Sequence, residues 1–299
     1  MENFKNEYQL ILEYLNLKNI SSFSVITSSW NSNVFIINNE LVFKFPKTNY
    51  GIIIAQNESK LTYSIHNLLN IKIPILDVVE YSKGFFCVYK FIEGIEYKNL
   101  SPNYIELSRE NFSYDLSSFI AKLHSLNIKN FDYLEKSNFS MNEPEINLYN
   151  RYNILCDFLK NTDNFDDFKK SFDYIDNIKL FSDDFCLLHN DINEGNFLID
   201  IKTKKINGII DFSNTKIGNF NEEFARLSSF DFRLVSSIIN KYQKITKRKV
   251  NLKYAINIQK IRYYAYICNS IENNQENYIN SFLYNKIPSL KFFERMLNS

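Results

Sequence analysis

Strand-like runs crowd the first third of this chain, and the strand signal largely vanishes after Glu93-Gly94. That asymmetry dictates a molecule of two unlike halves. Tyr8, Leu10, Ile11, Tyr14 and Leu15 recur at helical spacing and predict an opening amphipathic helix. Three strands should follow, Phe23 to Thr27, Val34 to Ile37 and Leu41 to Phe45, with Asn38-Asn39 as the tight turn between the last two. Pro46 has no N–H to give a ladder and ends the third strand. Gly51 to Leu69 reads as a helix, then Leu76 to Tyr81 and Phe85 to Phe91 as two more strands. Strand, strand, strand, helix, strand, strand describes a small antiparallel sheet.

Beyond residue 94 the expected elements are helices at Tyr114 to Leu126, Asn150 to Leu159, Phe165 to Ile178, Glu222 to Ile239 and Leu252 to Ile271. Two short strands, Phe185 to Leu188 and Ile206 to Ile210, bracket a polar loop. At 299 residues one core usually gives way to two. The expected division is therefore 1–92 and 93–299, with Gly94 as a hinge. The 27 Phe and 20 Tyr supply a full aromatic core. With 35 basic against 34 acidic residues and no Lys/Arg block, nucleic acid is not an expected partner. The N-terminus lacks a basic region followed by an apolar run, and no stretch reaches membrane-spanning length, so a cytoplasmic monomer that does not engage a membrane is expected. Cys87, Cys156, Cys186 and Cys268 show no C-x-x-C spacing and lie in apolar surroundings, as small buried hydrophobes do.

The polar loop carries the chemistry. It reads His189-Asn190-Asp191-Ile192-Asn193-Glu194-Gly195-Asn196, and Ile210-Asp211-Phe212 follows the next strand. An Asp after a strand most often caps a turn, which is the plain reading of Asp191 taken alone. Asn196 five residues later and Asp211 fifteen beyond that add two oxygen donors suited to a hard cation. One base and two metal ligands at this spacing fit phosphoryl transfer, where catalysis rests on positioning a hydroxyl and neutralising phosphate charge. Lys44 is a charged residue inside the apolar strand Val42-Phe43-Lys44-Phe45, where the pleat projects it to one face. Glu58, fourteen residues on in the next helix, could hold its ammonium. His189 is expected to organise the loop through hydrogen bonds, and His124 to pack; with His66 they offer no zinc spacing.

Phe43-Lys44-Phe45-Pro46-Lys47, Leu123-His124, His189 to Asn196, and Gly208 to Phe212 with Ile217-Gly218 and Phe224 beyond resemble the aminoglycoside phosphotransferases. The likeness is greatest to the group acting on the 2″ position, within the eukaryotic-kinase-like superfamily that includes choline kinases. It implies an α+β, bilobal protein-kinase-like fold, with a small antiparallel-sheet N-lobe and a larger, mainly helical C-lobe. By the same likeness Lys44 holds the phosphates of ATP or GTP, Glu58 orients it, Asp191 is the base, and Asn196 with Asp211 binds Mg²⁺. The segment Lys90 to Ile92 would hydrogen-bond the purine through its backbone. Two departures stand out. Ser28 to Asn33 occupies the place of the phosphate-covering loop without a glycine, leaving Ser29 and Asn31 to substitute through side chains. Ser213 stands where kinases often carry Gly.

The acceptor implied is a small, cationic hydroxyl compound, and Glu194, Glu222, Glu223, Asp231, Glu272 and Glu276 are the acids available to attract it. A choline-type or other small-alcohol kinase is the alternative, with Tyr263, Tyr264 and Tyr266 as a cation–π cage. A nucleotide-binding module without activity is a third reading, suggested by the glycine-free loop.

Overall fold

The computed structural model describes residues 4–16, 20–27, 32–81, 84–142, 146–180, 184–228 and 230–297. The chain forms two compact units, neither continuous in sequence: Met1–Ser101 with Gly195–Asn214, and Pro102–Glu194 with Thr215–Ser299.

The first unit opens with helix α1 (Lys5–Tyr14) and is built on a sheet of β1 (Phe23–Ile26), β2 (Ser32–Ile37), β3 (Leu41–Pro46), β4 (Asp77–Tyr81) and β5 (Gly84–Lys90). The strands are antiparallel in the order β1-β2-β3-β5-β4. Asn38 and Asn39 both take left-handed backbone conformations, and Glu40 N–H closes the turn on Ile37 O at 2.9 Å. Asn tolerates that region better than other non-glycine residues, which is why the pair specifies a hairpin turn.

Alternation along the strands sorts the side chains. Phe35, Phe43, Phe45, Phe86 and Val88 pack with Ile11 of α1 on one face. Phe85 and Cys87 pack with Ala55 and Leu76 on the other, against α2 (Asn49–Ile65). Each buried Phe contributes roughly 1.5–3 kcal/mol of transfer free energy, so the α1 face is held mainly by its aromatics. Lys44, one residue out of phase with Phe43 and Phe45, is thereby directed to the face of α2. Thr48 caps α2 by accepting Gly51 N–H at 3.0 Å, which starts the helix three residues after the strand ends.

A second, three-stranded sheet of order β6-β8-β9 completes this unit, from β6 (Ile95–Glu96), β8 (Phe197–Asp200) and β9 (Lys205–Ile209). Lys72, ahead of β4, bridges to β9: its N–H reaches Asn207 O at 3.3 Å and its carbonyl accepts Ile209 N–H at 3.0 Å. Asp211, two residues past β9, is thus anchored to the large sheet's own connections.

In the second unit α3 (Pro102–His124) packs along α7 (Phe232–Thr246), and α4 (Leu148–Leu159), α5 (Phe165–Asn177) and α6 (Glu223–Leu227) surround α8 (Leu252–Glu272). The helices α9 (Glu276–Ser281) and α10 (Ile287–Leu297) end the chain. Helix α8 is buried on nearly every side, including its charged middle. Lys260 lies within 2.7 Å of both Asp167 and Glu294, which neutralise an ammonium that burial would otherwise make costly. Strands β7 (Phe185–Leu188) and β10 (Lys216–Asn219) form an antiparallel pair. The α+β expectation, an antiparallel sheet followed by a mainly helical region, is borne out.

Several elements differ from the sequence reading: β6 and β8 had no counterpart in it, and α3 begins at Pro102, twelve residues before the expected Tyr114. The single helix expected from Glu222 to Ile239 is two, because Asp231 stands outside helical geometry and accepts Arg233 and Leu234 N–H at 3.1 and 3.2 Å, starting α7 afresh. The strand β10 had no counterpart, since four residues centred on Ile217-Gly218 carry no alternation to read.

Gly94 has a φ of +147°, and a Cβ there would stand 2.9 Å from Leu198 Cβ and 3.0 Å from Ile199 N. We expect Gly94→Ala to cost about 1–3 kcal/mol, read as a lower urea midpoint at unchanged m-value.

Candidate active site

Three charged side chains meet in the first unit. Lys44 Nζ lies 2.8 Å from Glu58 Oε2 and 3.5 Å from Asp211 Oδ1. Glu58 uses its other oxygen, Oε1, to accept the N–H of Phe212 at 3.0 Å. One carboxylate on α2 therefore fixes both the ammonium on β3 and the backbone beside Asp211. Burial alone would strip Lys44 of its proton, but Glu58 and Asp211 outweigh it and hold the ammonium charged well above the ordinary lysine range. The Glu58 side chain is almost fully buried, whereas that of Asp211 is 38% exposed and open to further ligands.

Asp211 adopts a φ of +66°, a left-handed backbone that costs on the order of 1 kcal/mol and must be held by its surroundings. Phe212 N–H to Glu58 supplies one restraint, and Ser213 Oγ, donating to Asp211 Oδ1 at 2.8 Å, supplies another. Ser213, read in the sequence as a departure from glycine, orients the carboxylate directly. Asn196 is buried, and its carbonyl accepts Ile210 N–H at 3.0 Å, tying the two oxygen-bearing segments together. An amide oxygen and a carboxylate are hard donors of the kind Mg²⁺ takes alongside water and phosphate, so this pair could hold that ion.

At the end of β5, Phe91 N–H is bonded to Glu40 O at 2.7 Å. Alternation in an antiparallel ladder then turns the peptide groups of Lys90 and Ile92 to the opposite edge, where they could meet a base. A cavity of about 760 Å³ is also lined by Lys90–Glu93, together with Tyr14, Leu41, Ile73, Ile75 and Val88. Its lining draws on both sides of the sheet, Leu41 and Val88 from the α1 side and Tyr89 from the α2 side. Ser29 and Asn31 lie outside the described residues.

In the second unit the loop after β7 is held by α6. Glu223 accepts His189 N–H at 2.7 Å and Asn190 N–H at 2.9 Å, one on each oxygen. His124 Nε2 lies 3.4 Å from Glu223 Oε2, and its Nδ1 lies 2.9 Å from the Tyr242 hydroxyl. Burial pushes His124 down, so the ring is neutral near pH 7; Nε2–H then donates to Glu223 and Nδ1 accepts from Tyr242. Burial would lift Glu223, but its hydrogen bonds to His124 and to the loop backbone keep its carboxyl below the ordinary range. Asn190 takes a left-handed φ of +62°, and its side-chain oxygen accepts Arg262 Nη2 at 3.2 Å. Asp191 N–H reaches His189 Nδ1 at 3.3 Å, and Asp191 Oδ1 lies 3.6 Å from Arg226 Nε. His189 is fully buried and engages the loop as expected.

A profile of the phosphotransferase enzyme family matches residues 24–246. The chain belongs to that family. The fold of this phosphotransferase is similar to that of a mutant aminoglycoside 2′-phosphotransferase-IIIa solved with GDP, at a TM-score of 0.74 and 15% identity over 98% of this chain and 99% of that one. The ternary complex of APH(2″)-IIa with streptomycin and ATP matches at 0.59 and 22% identity, over 88% and 89%. The macrolide 2′-phosphotransferase MphH from Brachybacterium faecium matches at 0.64 and 11% identity, over 93% and 98%.

Several residues this phosphotransferase was expected to turn toward an acceptor are used internally. Glu222 and Glu223 are buried; Glu222 pairs with Lys216 at 3.0 Å and accepts Phe139 N–H at 2.7 Å. Asp231 caps α7, and Glu272 pairs with Arg151 at 3.0 Å. Asp231, Glu272, Glu194 and Glu276 are all exposed. The three tyrosines do not form a cage: Tyr264 is fully buried and donates to Asp167 Oδ2 at 3.0 Å, while Tyr263 and Tyr266 pack on Phe282. Arg226 and Arg262, which no spacing singled out, are the side chains found against Asp191 and Asn190.

Replacing Glu223 by Gln leaves one of two charge-assisted N–H bonds without its acceptor. We expect a loss of about 1–3 kcal/mol by chemical denaturation at pH 7. Because the folded-state carboxyl is depressed, the wild-type advantage is present above the ordinary carboxylate range and shrinks as pH falls through the lower folded value.

Proposed function

We propose that this phosphotransferase moves the γ-phosphoryl group of ATP or GTP, with Mg²⁺, onto a hydroxyl of a small molecule, and that the acceptor is an aminoglycoside. The observation that carries the reading is the ion cluster of Lys44, Glu58 and Asp211, with Glu58 bonded also to Phe212 N–H. A buried ammonium kept protonated by two carboxylates is a fixed counter-charge for phosphate. Similar folds solved with GDP or ATP and with streptomycin or kanamycin support the nucleotide donor and the acceptor class.

In this reading Lys44 binds phosphate oxygens, and Lys90 and Ile92 present backbone groups to the purine. Asn196 and Asp211 hold Mg²⁺, and the bound ion would neutralise charge on the phosphates. Asp191 accepts a hydrogen bond from the acceptor hydroxyl, sets its lone pair toward phosphorus, and takes the proton as the new O–P bond forms and the bond from the γ-phosphorus to the bridging oxygen breaks, leaving ADP or GDP. The buried tyrosines weigh against a choline-type acceptor, since no aromatic face of Tyr264 is left for a quaternary ammonium. ATP and GTP are abundant in the cytoplasm, the compartment in which we place the protein.

Purified protein, MgATP or MgGTP and a panel of aminoglycosides should yield a phosphorylated antibiotic by mass spectrometry, and EDTA should stop it. Asp191→Asn should lower kcat by about 10²- to 10⁴-fold with the thermal midpoint retained. A wild-type protein that phosphorylates none of them with either nucleotide would refute the assignment.

A further inference from the structure

Helix α6 does two jobs within one turn. Glu223 binds the backbone N–H groups of His189 and Asn190, and Arg226, three residues on and so on the same side of the helix, meets the next residue's carboxylate. The guanidinium is itself anchored, donating from Nη1 to the Tyr266 hydroxyl of α8 at 3.3 Å. Its side chain is 22% exposed and that of Asp191 is 15% exposed, so the pair is screened far less than a surface ion pair. We propose that Arg226, braced by Tyr266, is a positioning residue for phosphoryl transfer, holding the Asp191 carboxylate in one rotamer for the acceptor hydroxyl.

This rests on Asp191 being the base. A carboxylate free to rotate about χ1 and χ2 presents its oxygens to a hydroxyl only part of the time, whereas one drawn to a braced guanidinium by an ion pair at Oδ1 samples a narrower range. Burial works against the charge on Arg226, and Tyr266, Asp191 and Tyr263 together hold it protonated. The other charged or titratable groups around the loop are accounted for: Arg262 is bonded to Asn190, His189 Nδ1 faces the Asp191 N–H, and Glu223 is committed to the backbone. Arg226 is a cation in contact with the Asp191 carboxylate.

The test compares wild type, Arg226→Gln, Arg226→Lys and Tyr266→Phe for kcat and nucleotide KM, with thermal midpoints alongside. Arg226→Gln should lower kcat by about tenfold or more and leave nucleotide KM within about twofold. Arg226→Lys, which keeps the charge without the planar fork, should recover only part of kcat. Tyr266→Phe should lower kcat less than Arg226→Gln. A folded Arg226→Gln with wild-type kcat overturns the proposal, as does a loss of kcat that follows the thermal midpoint or that Arg226→Lys does not restore in part. Wild-type protein that transfers nothing removes the phosphotransfer reading and this proposal with it, and is seen before any variant is compared.

Discussion

The Glu58 carboxylate has two oxygens, and the first unit depends on both being used. One neutralises Lys44 and the other caps the peptide that follows Asp211. An ammonium on a central strand would be prohibitive to bury without a partner, and a left-handed aspartate would relax without a restraint. A single side chain on α2 answers both demands, so the helix, the sheet and the β9 connection are tied by one group in the finished fold. Breaking one half of such a pair typically costs about 3–5 kcal/mol because the other charge stays buried, which makes the cluster a point of cooperativity as well as chemistry.

The second unit repeats the device with a different charge balance. Glu223 lies at the start of a five-residue helix and spends its two oxygens on consecutive backbone N–H groups of the loop. Neutral His124 and Tyr242 complete the network without adding a second net charge to the interior. The loop is therefore set by a carboxylate from behind, while Arg262 and Arg226 engage its side chains. Backbone and side chain are restrained by separate groups, so each can be altered without surrendering the other.

Much of this was legible in the residues. Lys44 between two phenylalanines stated its own face through the period of two, and Asn38-Asn39 stated its turn through backbone tolerance. Phe23 to Thr27, Leu41 to Phe45 and Phe85 to Phe91 fell within a residue or two of the strands formed. What escaped had no local signature. Arg226 is one cation in a helix too short for periodicity, and its partner is thirty-five residues upstream. Glu222 read as an acid available to an acceptor because its partners, Lys216 and Phe139, come together only through tertiary packing. The break before α7 was hidden because Asp231 is as compatible with a helix surface as with a cap.

The discontinuity of the two units bears on synthesis. The chain leaves the first unit after Ser101 and returns to it only for Gly195–Asn214, the stretch that carries Asn196, Asp211 and the strands β8 and β9. As the polypeptide emerges from the ribosome, the large sheet is exposed to solvent for the time needed to add roughly a hundred residues, several seconds at ordinary elongation rates of about 5–20 residues per second. Lys44 and Glu58 can find one another early, but Asp211 and the Phe212 amide arrive late. The nascent N-terminal segment thus waits, with its α2 face incomplete, for a ribbon translated long after it.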